Sequence, residues 1–174
     1  HPTAMVWCAV DNESETFYIY DCYRASKASP TVHAQNIRMR PHFIPIAYPH
    51  DGNRRDSMGN PGLADQYRNL GCNFMLEHFT NPPALGTNKG SNSIEEGLMA
   101  MLQSIEAKRF KVFNTLGDWF EEFRMYHRKD GKVVPLRDDL LSATRYAFQS
   151  QRFAVAGEDP SWTAGVEYRN YGII

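Results

Sequence analysis

Three acids in this chain have the residue type and the placing for metal chemistry. Asp51 stands in Pro49-His50-Asp51-Gly52, directly behind the apolar run Phe43 to Tyr48. Asp138 and Asp139 stand together at the head of Asp138 to Phe148, a run with helical spacing. Carboxylates at the end of a strand and the start of a helix are held by rigid backbone, as the positioning of hard cations requires. Two carboxylates about 4 Å apart repel by roughly 4 kcal/mol at an effective dielectric of 20. Gathering three in one cleft is therefore costly unless a cation sits among them. Mg2+ or Mn2+ is the natural occupant for oxygen ligands. Two such ions about 3.5–4 Å apart would stabilise both the attacking water and the leaving oxygen of a phosphodiester. An aspartate at a helix N-cap also satisfies free backbone N–H groups, which accounts for one of the pair without any chemistry. It does not account for two in succession.

Other polar residues qualify less sharply. His50 and His127 titrate near neutrality and are candidate proton shuttles, or plain surface imidazoles. Arg54 and Arg55 follow Asp51 and are candidate phosphate clamps, or part of a solvated loop. Asp56, Asp65, Asp118, Glu121 and Glu122 fall in loops or on helix faces expected to be exposed, and read as structural. No Ser-His-Asp order, Cys-His pair, HExxH or GxxxxGK[ST] occurs, so triad, zincin and P-loop chemistry are excluded. The three cysteines, Cys8, Cys22 and Cys72, are scattered and form no CxxC; they read as reduced, buried thiols.

The net charge of −1 does not suit a protein that coats nucleic acid. The charge is uneven, however. Residues 108–137 carry eight basic side chains against four acids, a net +4, and lead straight into Asp138. Arg128, Lys129 and Lys132 lie in this stretch and are the candidate DNA contacts. A cationic approach beside an anionic centre suits a polyanion that is cut rather than only held; a solvated mixed-charge helix is the plainer reading.

Alternating patterns supply the frame. Thr3 to Val10 and Thr16 to Tyr23 read as strands joined by a polar turn, an antiparallel hairpin. Ser29-Pro30 opens a short helix to Met39, with Val32, Ile37 and Met39 available to a core. Phe43 to Tyr48 reads as a strand buried on both faces, although Pro45 argues against a central position. Residues 51–62 form a loop, Leu63 to Leu70 a helix capped by Gly71, and Cys72 to Phe79 a further strand. After a connector over 80–92, Ser93-Ile94-Glu95-Glu96 has the form of a capping box ahead of Ile94, Leu98, Met101, Leu102 and Ile105 at helical spacing. Phe110 to Phe113 is a short strand. Gly117 to Met125 is a helix with Trp119, Phe120 and Phe123 on one side. Asp130-Gly131 is a hairpin signal between Tyr126–Lys129 and Lys132–Leu136. The order predicts an α/β sheet with helices on its faces. With 174 residues one domain is expected. No apolar stretch could span a membrane and no secretory signal is visible. The start at His1-Pro2, without a Met, reads as a cut in something longer.

These motifs resemble the C-terminal nuclease domain of the large terminase subunit of tailed bacteriophages, of the headful-packaging, short-tailed Salmonella phage type. Three segments carry the likeness: His1-Pro2-Thr3-Ala4 before a strand; Ile44-Pro45-Ile46-Ala47-Tyr48-Pro49-His50-Asp51-Gly52; and Asp138-Asp139-Leu140-Leu141-Ser142-Ala143-Thr144-Arg145-Tyr146-Ala147. The resemblance spans about residues 1–150. It implies a ribonuclease H-like fold with a mixed sheet, flanking helices and an added hairpin beside the cleft, over Tyr126–Leu136, that gates it. Asp51 would be the second family acid and Asp138 or Asp139 the third, holding two Mg2+ or Mn2+ ions. Ser142 stands where many members have another Asp. The first acid normally precedes the His-Pro pair, so the site in this sequence is expected to be incomplete. Residues 151–174 read as an irregular tail, and its Trp162, Tyr168 and Tyr171 could form a partner-binding arm.

The function so implied is a metal-dependent endonuclease that cuts concatemeric double-stranded DNA to start and end packaging in the host cytoplasm. Its partners would be DNA, the portal protein, the small terminase subunit and an ATPase domain earlier in the polypeptide. The alternatives are another ribonuclease H-like nuclease, such as a resolvase or transposase core, or a non-catalytic portal-docking domain.

Overall fold

The computed structural model describes residues 2–54, 59, 61–83, 85–86, 88–134 and 136–156. Thr3–Asp11 (β1) and Thr16–Ala25 (β2) pair antiparallel, and Phe110–Val112 (β3) adds to β2 in parallel, giving a mixed sheet in the order β1-β2-β3. Strand alternation puts Ala4, Val6, Cys8 and Val10 on one face and Met5 and Trp7 on the other. The register slips between Trp7 and Cys8: Cys8 faces Ile19 while Trp7 faces Asp21. Tyr20 is the extra residue of this bulge. Past it the alternation of β2 is inverted, so Cys22 and Arg24 lie on the same face as Phe17 and Ile19.

That face is covered by Ile94–Glu106 (α3), Gly117–Met125 (α4) and Asp139–Gln149 (α5). The buried core here is Phe17, Ile19, Met101, Leu116, Trp119, Leu140, Leu141 and Phe148. One glycine-dependent contact tightens it. A Cβ at Gly97 would lie 2.6 Å from Arg145 Cγ, so the bare backbone of α3 lets the arginine of α5 pack against it. Ser93 caps α3 by accepting the Glu96 N–H at 3.4 Å. The return half of the capping box is not made, because the Glu96 carboxylate accepts instead from Asn81 Nδ2 at 3.1 Å and from Ser91 Oγ.

The opposite face is covered by Pro30–Arg38 (α1) and Leu63–Asn69 (α2) over a second core of Trp7, Ala34, Ile37, Tyr67 and Cys72. Of the α1 residues expected in the core, Ile37 is buried. Val32 and Met39 are exposed, and His33 and Ala34 take their place. The helix is rotated from the apolar reading because Tyr23 holds His33, hydroxyl to Nδ1 at 3.1 Å.

Two expected strands do not form. Phe43 to Tyr48 and Cys72 to Phe79 form a single isolated parallel bridge, Ile46 to Phe74, joined by one further backbone bond from Phe79 N–H to the Tyr48 carbonyl at 2.7 Å, and no ladder develops. Pro45 has no N–H to give a ladder. The partner segment spends its carbonyls on Arg68 of α2, whose guanidinium reaches the carbonyl oxygens of Phe74, Met75 and Leu76. The hairpin does form, as Arg128–Lys129 (β4) and Lys132–Val133 (β5). Asp130 (φ 51) and Gly131 (φ 76) sit at its turn, the left-handed pair a two-residue connection requires.

Candidate functional site

Asp51 sits in a single 3₁₀ turn, His50–Asn53. Gly52 N–H donates to the Pro49 carbonyl at 2.9 Å and Arg54 N–H to that of Asp51 at 3.0 Å. Beneath the turn lies Tyr48, 3% exposed. Its hydroxyl is 2.9 Å from Asn53 Oδ1 and 3.0 Å from the Leu76 carbonyl, and accepts from Arg68 Nη2 at 2.9 Å. A Cβ on Gly52 would lie 2.6 Å from Tyr48 Cδ2. The turn can press onto the ring only because residue 52 has no side chain. The exposed Asp51 carboxylate is thus aimed by a buried ring and an arginine from α2. The rings of His50 and His78 meet edge to face beside it, centroids 6.4 Å apart.

Asp138 occupies the N-cap position of α5 but makes no side-chain cap; its φ of −118° and ψ of 17° are unsuited to one. Among the described residues, its Oδ2 accepts from Ser142 Oγ alone, at 3.5 Å. The free amides of the first turn are taken by a different element. Glu122 of α4, fully buried, accepts the N–H of Leu140 at 2.7 Å and of Leu141 at 3.3 Å through Oε2. Its Oε1 receives Arg24 Nη1 of β2 at 2.5 Å. Burial pushes the Glu122 carboxyl up, and the two amides and Arg24 pull it partly back. The expectation that Glu122 lies on an exposed face is overturned. It shares a helix face with Trp119, three residues before it, while Phe123 turns outward. The Trp119–Glu122 spacing was the signal available in the sequence. Asp138 and Asp139, both half-buried, are consequently free of capping.

Asp51, Asp138, Asp139 and Ser142 all open onto one cavity of about 710 Å3, walled by β1, the 44–49 segment, α2 and α5. The donors it offers are carboxylate and hydroxyl oxygens, the set a hard cation prefers. Among the described residues, no three His, Cys, Asp or Glu side chains converge closely enough to hold a metal ion. The cavity therefore fits such an ion in donor chemistry, while the carboxylates face it from two sides without closing on one point.

The candidate phosphate contacts differ in what holds them. Arg54 is exposed, and Arg55 lies outside the described residues. Arg128 is engaged: its Nη1 and Nη2 lie 3.0 and 2.6 Å from the two carboxylate oxygens of Glu95 on α3, which fastens the hairpin to that helix. Lys129 and Lys132 are exposed and face each other across β4 and β5. His127 is exposed, with Nδ1 2.7 Å from the Met125 carbonyl. At the base of the hairpin, burial and the neighbouring Asp138 carboxylate push the Tyr126 phenol up. The hairpin root therefore stands within electrostatic reach of the α5 head.

The Terminase RNaseH-like domain model matches residues 1–151. The chain is 36% identical over 155 residues to "Terminase, large subunit" of Salmonella phage P22, covering 88% of the chain and 30% of that protein. It is 35% identical over 149 residues to "Terminase, large subunit" of Enterobacteria phage LP7, again 30% of that protein and 85% of the chain. It thus spans about a third of the length of these relatives. The fold superposes on the P22 large terminase nuclease domain with a TM-score of 0.77 at 35% identity, over 88% of this chain and 77% of that one.

Proposed function

Because this chain belongs to the Terminase RNaseH-like domain family, we propose that it is the nuclease domain of a phage DNA-packaging terminase. In this reading it cuts concatemeric double-stranded DNA to begin and end headful filling. One observation carries the reading. Asp51 and the Asp138–Asp139 pair open onto the same cavity, while the helix-capping duty that would explain Asp138 falls to Glu122. Two half-buried acids that do not cap their helix, beside a third, offer the oxygen ligands that a hard cation takes.

Mg2+ or Mn2+, in a pair, would supply an activated water and stabilisation of the leaving oxygen. Asp51, Asp138 and Asp139 are the proposed ligands, the first aimed by Tyr48 and the others by the head of α5. Arg54, Arg55, Lys129 and Lys132 are the proposed phosphate contacts, joined by Arg128 when it leaves Glu95. With a net charge of −1, the domain relies on tethering for its local DNA concentration. The proposed tethers are an ATPase region of the same polypeptide, the portal and the small subunit, in the host cytoplasm. Among the described residues no helix is long and apolar enough to cross a membrane. Residues 1–150 are proposed as the nuclease unit and 151–174 as its tail.

The test is cutting of plasmid DNA by the full-length protein with Mn2+. Asp51→Asn and Asp138→Asn should each abolish it. Cutting that survives the double substitution would sink the assignment. A preference for four-way junctions over linear duplex would point to a resolvase-like enzyme instead.

A further inference from the structure

The head of α5 carries two of the three proposed ligands, yet its own N-cap residue makes no side-chain cap for its first turn. The cap comes from Glu122, which is remote in sequence. We infer that Glu122 is a positioning residue for the metal site: with Arg24 it forms a buried clamp that sets the angle and depth at which α5 presents Asp138 and Asp139 to the cavity. This rests on the nuclease reading above.

Four observations support the clamp. Glu122 is fully buried in the helical layer, and both its oxygens are used. Its amide partners, Leu140 and Leu141, follow Asp139 directly, so any tilt of the first turn of α5 moves both aspartates. Arg24 reaches Glu122 only because the bulge at Tyr20 inverts the alternation of β2. Without that extra residue Arg24 would face α1 and α2. Finally, Trp119 Nε1–H donates to Thr144 Oγ1 at 2.8 Å, a second buried bond between α4 and α5 one turn further along. Together the two bonds hold α5 against rotation as well as tilt. A cap made by Asp138 would have served the helix equally well but would have consumed a ligand. Transferring the cap to α4 satisfies the amides and leaves the carboxylates to the cavity.

The experiment uses the full-length protein with Glu122→Gln and Glu122→Ala, and three readouts. The first is hydrogen exchange of the 139–142 backbone without metal. The second is the Mn2+ concentration giving half of the metal-dependent rise in unfolding temperature. The third is the Mn2+ dependence of cutting, separated into half-saturation and maximal rate. Gln keeps one acceptor oxygen of the same shape but loses the charge opposite Arg24; Ala loses both. The expected result is about tenfold faster exchange at 139–142, with α4 and β2 unchanged, and half-saturating Mn2+ raised about tenfold in Gln and further in Ala. Unchanged half-saturation with a lower unfolding temperature would overturn the inference, leaving Glu122 as a structural residue only. Loss of cooperative unfolding in Glu122→Gln would overturn it as well, because the carboxylate would then hold the whole fold. If the wild type shows neither a Mn2+-dependent shift nor cutting, the nuclease reading fails and the inference with it. Local exchange confined to 139–142 would then still report the clamp itself.

Discussion

Gly52 and Tyr48 are in a contact that no other residue at position 52 would allow: the ring carbon Cδ2 occupies the space 2.6 Å from where a Cβ would stand. Gly52→Ala must therefore displace either the ring or the turn. The ring is fixed by Asn53, Leu76 and Arg68, so the turn moves, and Asp51 moves with it. Overpacking of this kind costs about 1–3 kcal/mol. Urea unfolding should show that loss, and Mn2+ half-saturation for cutting should rise. A variant with unchanged metal dependence would show that Asp51 is aimed by something other than this turn.

The reach of sequence reasoning is visible in this corner of the molecule. Pro49-His50-Asp51-Gly52 was legible as a motif, and the helices that carry strong end signals formed where Ser29-Pro30, Gly71 and Ser93 placed them. The strand reading of Phe43 to Tyr48 failed because composition favours an extended chain but cannot supply its partner. Arg68, from a helix further along, takes the carbonyls that a ladder needs. Glu122 was misread for a related reason. An acid on an amphipathic helix is exposed by default, and only the arrival of Arg24 and the α5 amides from distant parts of the chain makes burial tolerable. The bulge that delivers Arg24 leaves no trace in residue type. Short-range patterns were thus readable, and whatever depended on a long-range polar partner was not.

Thr144 is the second α4–α5 tie. Its hydroxyl accepts from Trp119 Nε1–H and donates to the Leu140 carbonyl, both at 2.8 Å and fully buried. Thr144→Val is close to isosteric, yet it strands the indole N–H in the core. An unsatisfied buried donor costs about 1–3 kcal/mol. Denaturant unfolding should show a loss in that range with an unchanged slope, and Thr144→Ser should recover most of it.

Arg128 and Glu95 make an exposed bidentate pair that fastens the hairpin to α3. Such surface pairs add little to stability. Glu95→Gln should leave the urea midpoint unchanged. It should free Arg128 for phosphate, so DNA affinity should rise and become more salt-dependent. Each added phosphate contact steepens the slope of log affinity against log salt by about 0.9. Titrations of labelled duplex at several salt concentrations would measure this. An unchanged slope would mean that Arg128 stays off the DNA whether or not Glu95 holds it.

Glu122 also sets a sign for the dependence of stability on pH. Burial raises its carboxyl above the ordinary value of 4.5 in the folded protein. The folded state then holds the proton more tightly than the unfolded chain does. Its contribution is fully present below the ordinary value and is lost as pH rises through the folded value. The exposed Asp11 and Glu95 run the other way: hydrogen bonds from Ser14 and Arg128 hold them low, so their contributions fade as pH falls. Subtracting the pH–stability curve of Glu122→Gln from that of the wild type cancels these groups. The difference should fall with rising pH from about 4.5 upward and then level off. A difference that climbs over this range would mean that Arg24 and the α5 amides outweigh burial, and that the clamp is strongest when Glu122 is charged.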